Sequence, residues 1–300
     1  MKKALILSGG GARGAFQVGV WKYLREIDWT PDLICGTSIG AVNAAAIGSG
    51  MSVERLIDIW KTHNRSEVYR LKALHFLKSM RRGKPLKSVL DTAPMRAMLT
   101  RHLNLEALRR SPIEIIISAV HLANGRLHLY NQDVIESDHL MASSAMPILF
   151  PWQPIHGELF WDGGVMANSP LFIALERKIE EIIVVLLSPV GHRPLPPPAT
   201  LREGLELLLE HFLIGSYQTT MPVFNGRPVQ ARDEWPPTRP HVPKFIESPP
   251  RPRISVIAPN RMLGFTSLLN FSPRQVNRLI NAGYHNARRQ LGQKGYVITR

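Results

Sequence analysis

Apolar residues fall along this chain in two rhythms. Short unbroken runs, closed off by glycine, proline or charge, predict buried strands over residues 3–8, 32–35, 113–120, 182–187 and 253–258. Elsewhere apolar positions recur every three or four residues and predict helices over 14–27, 53–63, 94–103, 170–179, 201–214 and 273–291. In the first of these Val18, Trp21 and Leu24 point inward. Residues 38–47 are mostly small and read as a closely packed helix. Asn124-Gly125 is a turn signal, so residues 126–130 read as the arm of a hairpin. The strand–helix–strand–helix start implies a parallel sheet with right-handed crossovers.

The pattern weakens in three places. Residues 65–90 are basic and irregular, residues 192–198 are rich in proline, and residues 222–252 are crowded with it. Proline can enter neither a helix interior nor a sheet interior, so 222–252 reads as a surface excursion of lid-like character. The chain therefore divides into a core over residues 1–190 and an extension over 191–300 that packs on the same domain.

Composition adds bounds. The chain has 300 residues, 44% of them hydrophobic and 20% charged, which suits a globular protein with a full core. Its one cysteine, Cys35, excludes an intrachain disulfide and fits a reducing, cytoplasmic setting. Lys2 and Lys3 precede an apolar stretch that stops at Gly9, too soon for an export signal. Residues 33–53 carry no formal charge, but their Gly, Ser, Thr and Asn content argues for a buried helix over a membrane span. The net charge is +14, and no Asp or Glu occurs after Arg251. Such a surface attracts polyanions. An anionic membrane met peripherally is the favoured partner, through Met80-Arg81-Arg82 and the apolar residues of 263–271. No nucleic-acid-binding signature is present.

Two glycine-containing motifs carry the chemistry. Gly9-Gly10-Gly11-Ala12-Arg13-Gly14 joins the first strand to the first helix, where glycines bring backbone N–H groups close to an anion. It fits G-x-G-x-x-G, so a dinucleotide-binding oxidoreductase is one reading. The acid that should close the second strand is missing, however, and Asp32 only opens it. Gly36-Thr37-Ser38-Ile39-Gly40 fits G-x-S-x-G at a strand-to-helix junction, the setting that lifts a serine oxygen above a sheet. A serine nucleophile needs a base. His121, after the third strand, is the best histidine. Asp162, in Trp161-Asp162-Gly163-Gly164, is the better partner, although Asp-Gly is also an ordinary turn.

In order, these three motifs resemble the patatin-like phospholipase family, and Ala142-Ser143-Ser144-Ala145-Met146-Pro147 looks like that family's block before the aspartate. The resemblance covers residues 3–187. It implies an α/β fold, a three-layer α/β/α sandwich with a mainly parallel central sheet. It implies a serine hydrolase that cleaves acyl esters of lipids through a Ser38–Asp162 dyad, with no histidine, metal or cofactor. Gly10, Gly11 and Ala12, with Arg13, would form the oxyanion hole, and Arg13 would support that loop or meet substrate phosphate. Asn168-Ser169-Pro170 departs from the family, where many members carry a second asparagine. A regulatory or membrane-binding protein that keeps the fold without turnover, and a small-ester or thioester hydrolase of the same mechanism, remain as alternatives.

Overall fold

The computed structural model describes residues 1–72, 88–177, 179–190, 197–224 and 252–292. In chain order its elements are β1 (Lys3–Leu7), a 3-10 turn (Gly11–Gly14), α1 (Ala15–Glu26), β2 (Leu33–Thr37), α2 (Ile39–Gly48), α3 (Val53–Thr62), α4 (Arg65–Val68) and the short strands β3 (Arg70–Leu71) and β4 (Leu90–Asp91). There follow α5 (Ala93–His102), α6 (Leu105–Arg109), β5 (Glu114–His121), β6 (Leu127–Asn131), α7 (Ser137–Ser143), β7 (Gln153–Ile155), β8 (Glu158–Asp162), α8 (Gly164–Ala167) and α9 (Leu171–Leu175). The chain continues with β9 (Glu181–Val185), α10 (Leu201–Phe224), β10 (Arg253–Ile257), a second 3-10 turn (Phe265–Leu268) and α11 (Pro273–Gly292).

Five strands run parallel in the order β10-β9-β1-β2-β5, and three antiparallel strands extend the sheet beyond them. The strands of the parallel part are apolar on both faces because both faces are covered. Leu5 and Leu7 of β1 join Ile34, Ile183 and Val185 in a core with α1, α2 and α11. Ala4 and Ile6 turn the other way, with Leu33, Cys35, Ile182 and Val184, and meet Leu171 and Ile173 of α9 and Tyr217 of α10. The side-chain period of two thus sorts one strand between two helical layers, which makes the three-layer sandwich.

The antiparallel part sets the site. Residues 116–118 of β5 pair with both β2 and β6, and residues 119–120 with both β6 and β8. A strand has two edges, so β2 and β8 share one of them, end to end. Thr37 lies opposite Ser118 and Asp162 opposite Ala119. The carboxyl end of β2 therefore runs straight into Asp162.

Two helices differ in length from the sequence reading. The helix expected over 170–179 is only Leu171–Leu175. The helix expected to end at Ile214 continues through Gly215 to Phe224. The hydroxyls of Thr219 and Thr220 donate back to the carbonyls of Gly215 and Ser216, and Tyr217 is buried, so the next turn gains both backbone partners and packing. Of the proline-rich segment expected as an excursion over 222–252, residues 222–224 belong instead to the end of α10, and residues 225–251, like the Met80-Arg81-Arg82 site, lie outside the described residues.

Candidate active site

Ser38 directly follows β2 and caps α2 with φ 56° and ψ −127°. This left-handed backbone is costly for a residue with a side chain and persists only where the surroundings enforce it. The enforcement is visible. A side chain on Gly36 would come within 2.4 Å of the Gly40 carbonyl oxygen, and one on Gly40 within 2.1 Å of the Leu7 carbonyl. Only glycines let the turn close this tightly against β1. The Ser38 N–H donates to Ser143 Oγ at 3.0 Å, so the block before the aspartate holds the nucleophile candidate from behind. The positive end of α2 lies at Ser38 as well.

Asp162 is buried, 3% exposed. Its N–H donates to the Ala145 carbonyl at 3.0 Å, which gives the same block a second role, and its Oδ1 accepts the Gly164 N–H at 2.7 Å. Burial is the dominant influence on the carboxyl and pushes its pKa up to about 7, against hydrogen bonds from the Ser38 side chain and the Gly164 backbone that favour the ionised form. The Ser38 side chain thus lies near enough to the Asp162 carboxyl to favour its ionised form. His121 does not join them. Its Nε2 pairs with Glu158 Oε2 at 3.0 Å, and its ring sits against His128 and Phe160.

The glycine loop passes beside Ser38. Gly9 is fixed by Asn168, whose carbonyl accepts the Gly9 N–H at 3.1 Å and whose Nδ2 donates to the Gly9 carbonyl at 3.4 Å. Gly11 has φ 55°, and a side chain there would come within 2.3 Å of the Leu268 carbonyl. Among the described residues, the N–H groups of Gly10, Gly11 and Ala12 have no protein acceptor, as befits the first donors of a helical turn. Ile39, first in α2, offers another such donor, which follows from the motif's placement and escaped the sequence reading.

Arg13 departs from expectation. Its N–H donates to the Gly10 carbonyl at 3.1 Å, so it is not available to an oxyanion. Its side chain is fully buried and cannot reach substrate phosphate. All five guanidinium N–H groups are taken: Nε by Ser267 Oγ, Nη1 by the Leu187 carbonyl and Glu210 Oε2, and Nη2 by Glu210 Oε1 and the Gly264 carbonyl. Supporting the loop is what remains of its expected roles. Glu210 was not foreseen. Its one signal is an acid on the stripe of α10 that also carries the buried Leu213 and Tyr217.

Ser38 opens onto a cavity with almost wholly apolar walls. Val42 and Ala46 of α2, Leu56 and Ile59 of α3, Met95 and Leu99 of α5, and Leu268 and Phe271 line it. The 263–271 stretch, expected at a membrane surface, thus turns Leu268 and Phe271 inward and exposes chiefly Phe265. Among the described residues no group of three or more His, Cys, Asp or Glu could hold a metal ion, and no helix is long and apolar enough to cross a membrane.

A model of the patatin-like phospholipase family matches residues 5–175, the stretch that contains the glycine loop, Ser38 and Asp162. The chain belongs to this family. Over 190 residues the patatin-like chain is 27% identical to a cGAMP-activated phospholipase of Pseudomonas aeruginosa (strain BWHPSA011 / Pa011), covering 58% of itself and 55% of that protein. Over 196 residues it is 28% identical to patatin-like phospholipase domain-containing protein 6 of Homo sapiens, covering 61% of itself and 13% of that protein. The match thus spans about half of the bacterial relative and a small part of the human one. The crystal structure of VipD from Legionella pneumophila superposes with a TM-score of 0.49 at 15% sequence identity, covering 97% of this chain and 67% of that one. The side-chain partners of Arg13 all lie beyond residue 175, outside the family match.

Proposed function

We propose that this patatin-like protein is a serine hydrolase that cleaves acyl esters of lipids, with Ser38 as nucleophile and Asp162 as its base. The observation that carries the reading is the placing of Ser38, in a strained turn and lining an apolar cavity, beside a buried carboxyl raised to about 7. Ionised Asp162 takes the Ser38 proton as Oγ attacks the ester carbonyl. The N–H groups of Gly10, Gly11 and Ala12 stabilise the oxyanion that forms. The tetrahedral adduct collapses, the leaving alkoxide takes the proton from Asp162, and an acyl-serine remains. Water then attacks that ester, Asp162 accepting its proton; the second adduct collapses, Asp162 returns the proton to the departing Ser38 oxygen, and the fatty acid leaves. Nucleophile, base and oxyanion donors all come from the chain itself.

The apolar cavity suits the acyl chain, and phospholipids are the first substrates to try, given the names of both relatives. Exposed Ile148, Met166 and Phe265 sit on segments flanking the site and would face a lipid surface. A fluorophosphonate probe tests the reading alongside a medium-chain ester. The wild type labels and turns over, and folded Ser38→Ala does neither. Equal labelling of Ser38→Ala would overturn it, and absence of labelling even with liposomes would favour a non-catalytic role.

A further inference from the structure

We infer that Glu210, on a helix outside the family match, is a positioning residue for the oxyanion-forming loop, acting through Arg13; this rests on the acyl-transfer reading above. Arg13 directly follows Gly10, Gly11 and Ala12, and its own N–H closes their turn on the Gly10 carbonyl. The direction of those N–H groups therefore depends on where Arg13 is held. Its guanidinium is fully buried, so its position is set by its partners and not by water. Three of them are neutral oxygens, from Leu187, Gly264 and Ser267. Among the described residues Glu210 is the one counter-charge, and it binds both terminal nitrogens, at 2.7 and 3.2 Å. A two-point grip of this kind fixes orientation as well as distance. Ser267 extends it, accepting from Arg13 Nε while donating to the Gly264 carbonyl. The neighbouring Leu268 carbonyl lies so close to Gly11 that only a residue without a side chain fits there. Without Glu210 an unpaired cation stays buried beside the loop, and the loop must move to hydrate it.

The test compares Glu210→Ala and Glu210→Gln with wild type and with Glu206→Ala, a change on the same helix. Two readouts are needed. Hydrogen exchange of the peptide spanning residues 9–15 reports the loop whether or not the protein turns over substrate. Ester hydrolysis, with an oxoester and its thionoester analogue, reports the oxyanion site, since sulfur is the poorer hydrogen-bond acceptor. Expected in both Glu210 variants are faster exchange confined to this peptide and its contacts, and a kcat at least about tenfold lower with KM within about twofold. The oxoester should also lose more rate than the thionoester, a selectivity that simple loss of folded protein would not produce. The neutral, similarly shaped Gln serves where Ala does not fold. Unchanged exchange of residues 9–15, or an equal loss on both esters, overturns the inference. A wild type without Ser38-dependent hydrolysis would instead overturn the functional reading, and the exchange result would still judge the role of Glu210.

Discussion

Two carboxylates are buried beside the glycine loop and Ser38, and their surroundings are opposite. Asp162 meets a hydroxyl and a backbone N–H, and burial outweighs both, raising its pKa to about 7. Glu210 meets a guanidinium, gripped at two points. The same burial thus has two results, and the partner decides which. A neutral partner leaves a group poised to exchange a proton near neutrality, as a general base must. A cationic partner makes a fixed brace, retained for geometry and not for net stability.

The strongest way to break this contrast is by activity. Ser38→Ala and Asp162→Asn should each lower ester hydrolysis by about 10³-fold or more while the circular dichroism spectrum stays native. A residual rate near wild type in either would remove that residue from the chemistry. Stability should then separate the two carboxylates in opposite directions. Glu210→Ala leaves Arg13 unpaired and should cost about 3–5 kcal/mol in urea melts. Asp162→Asn should stabilise the protein at pH 8, because it removes a carboxylate that is costly to ionise.

The sign follows from linkage. The folded pKa of Asp162 is raised above its ordinary value of 3.8 to about 7, so between these values the folded state holds a proton that the unfolded state has released. The contribution of Asp162 to stability therefore falls as pH rises through this window, by up to about 4 kcal/mol, and is level above it. The gain from Asp162→Asn should fade at pH 4. Activity should run the other way, with kcat/KM rising through about pH 7 as the base ionises and level beyond. A profile flat from pH 5 to 8 would count against Asp162 as the base. The smallest effect is expected for Ser143→Ala, which leaves the Ser38 N–H without an acceptor, at about 1–3 kcal/mol of stability and a lesser loss of rate.

What the sequence showed depended on the range of the contacts involved. Ser38 was legible because its constraint is local: Gly36 and Gly40 stand within two residues, and the strand and helix around them have clear periods. Asp162 was not legible from its own segment, since Asp-Gly turns are common, and it stood out only as part of the ordered set of motifs. Its placement comes from β8 reversing to lie along β5, a pairing that strand periodicity does not disclose. Arg13 was noticed, but its ties to Leu187, Glu210, Gly264 and Ser267 span more than 170 residues of sequence. Its confinement could not be seen, and substrate phosphate was allowed as a partner it cannot reach. The end of α10 was misplaced at Ile214, since the buried Tyr217 that carries the helix on shows no burial in the sequence.

The end-to-end placement of β2 and β8 on one edge of β5 has a consequence during synthesis. Ser38 leaves the ribosome long before Asp162, and the two meet only when β8 docks in the register that sets Asp162 opposite Ala119. A slip of one residue would turn the carboxyl to the opposite face. Glu210 emerges later still. A nascent or misregistered copy therefore carries the proposed nucleophile without its proposed base and brace, and the proposed acyl-cleaving power is withheld until the sheet is correctly paired.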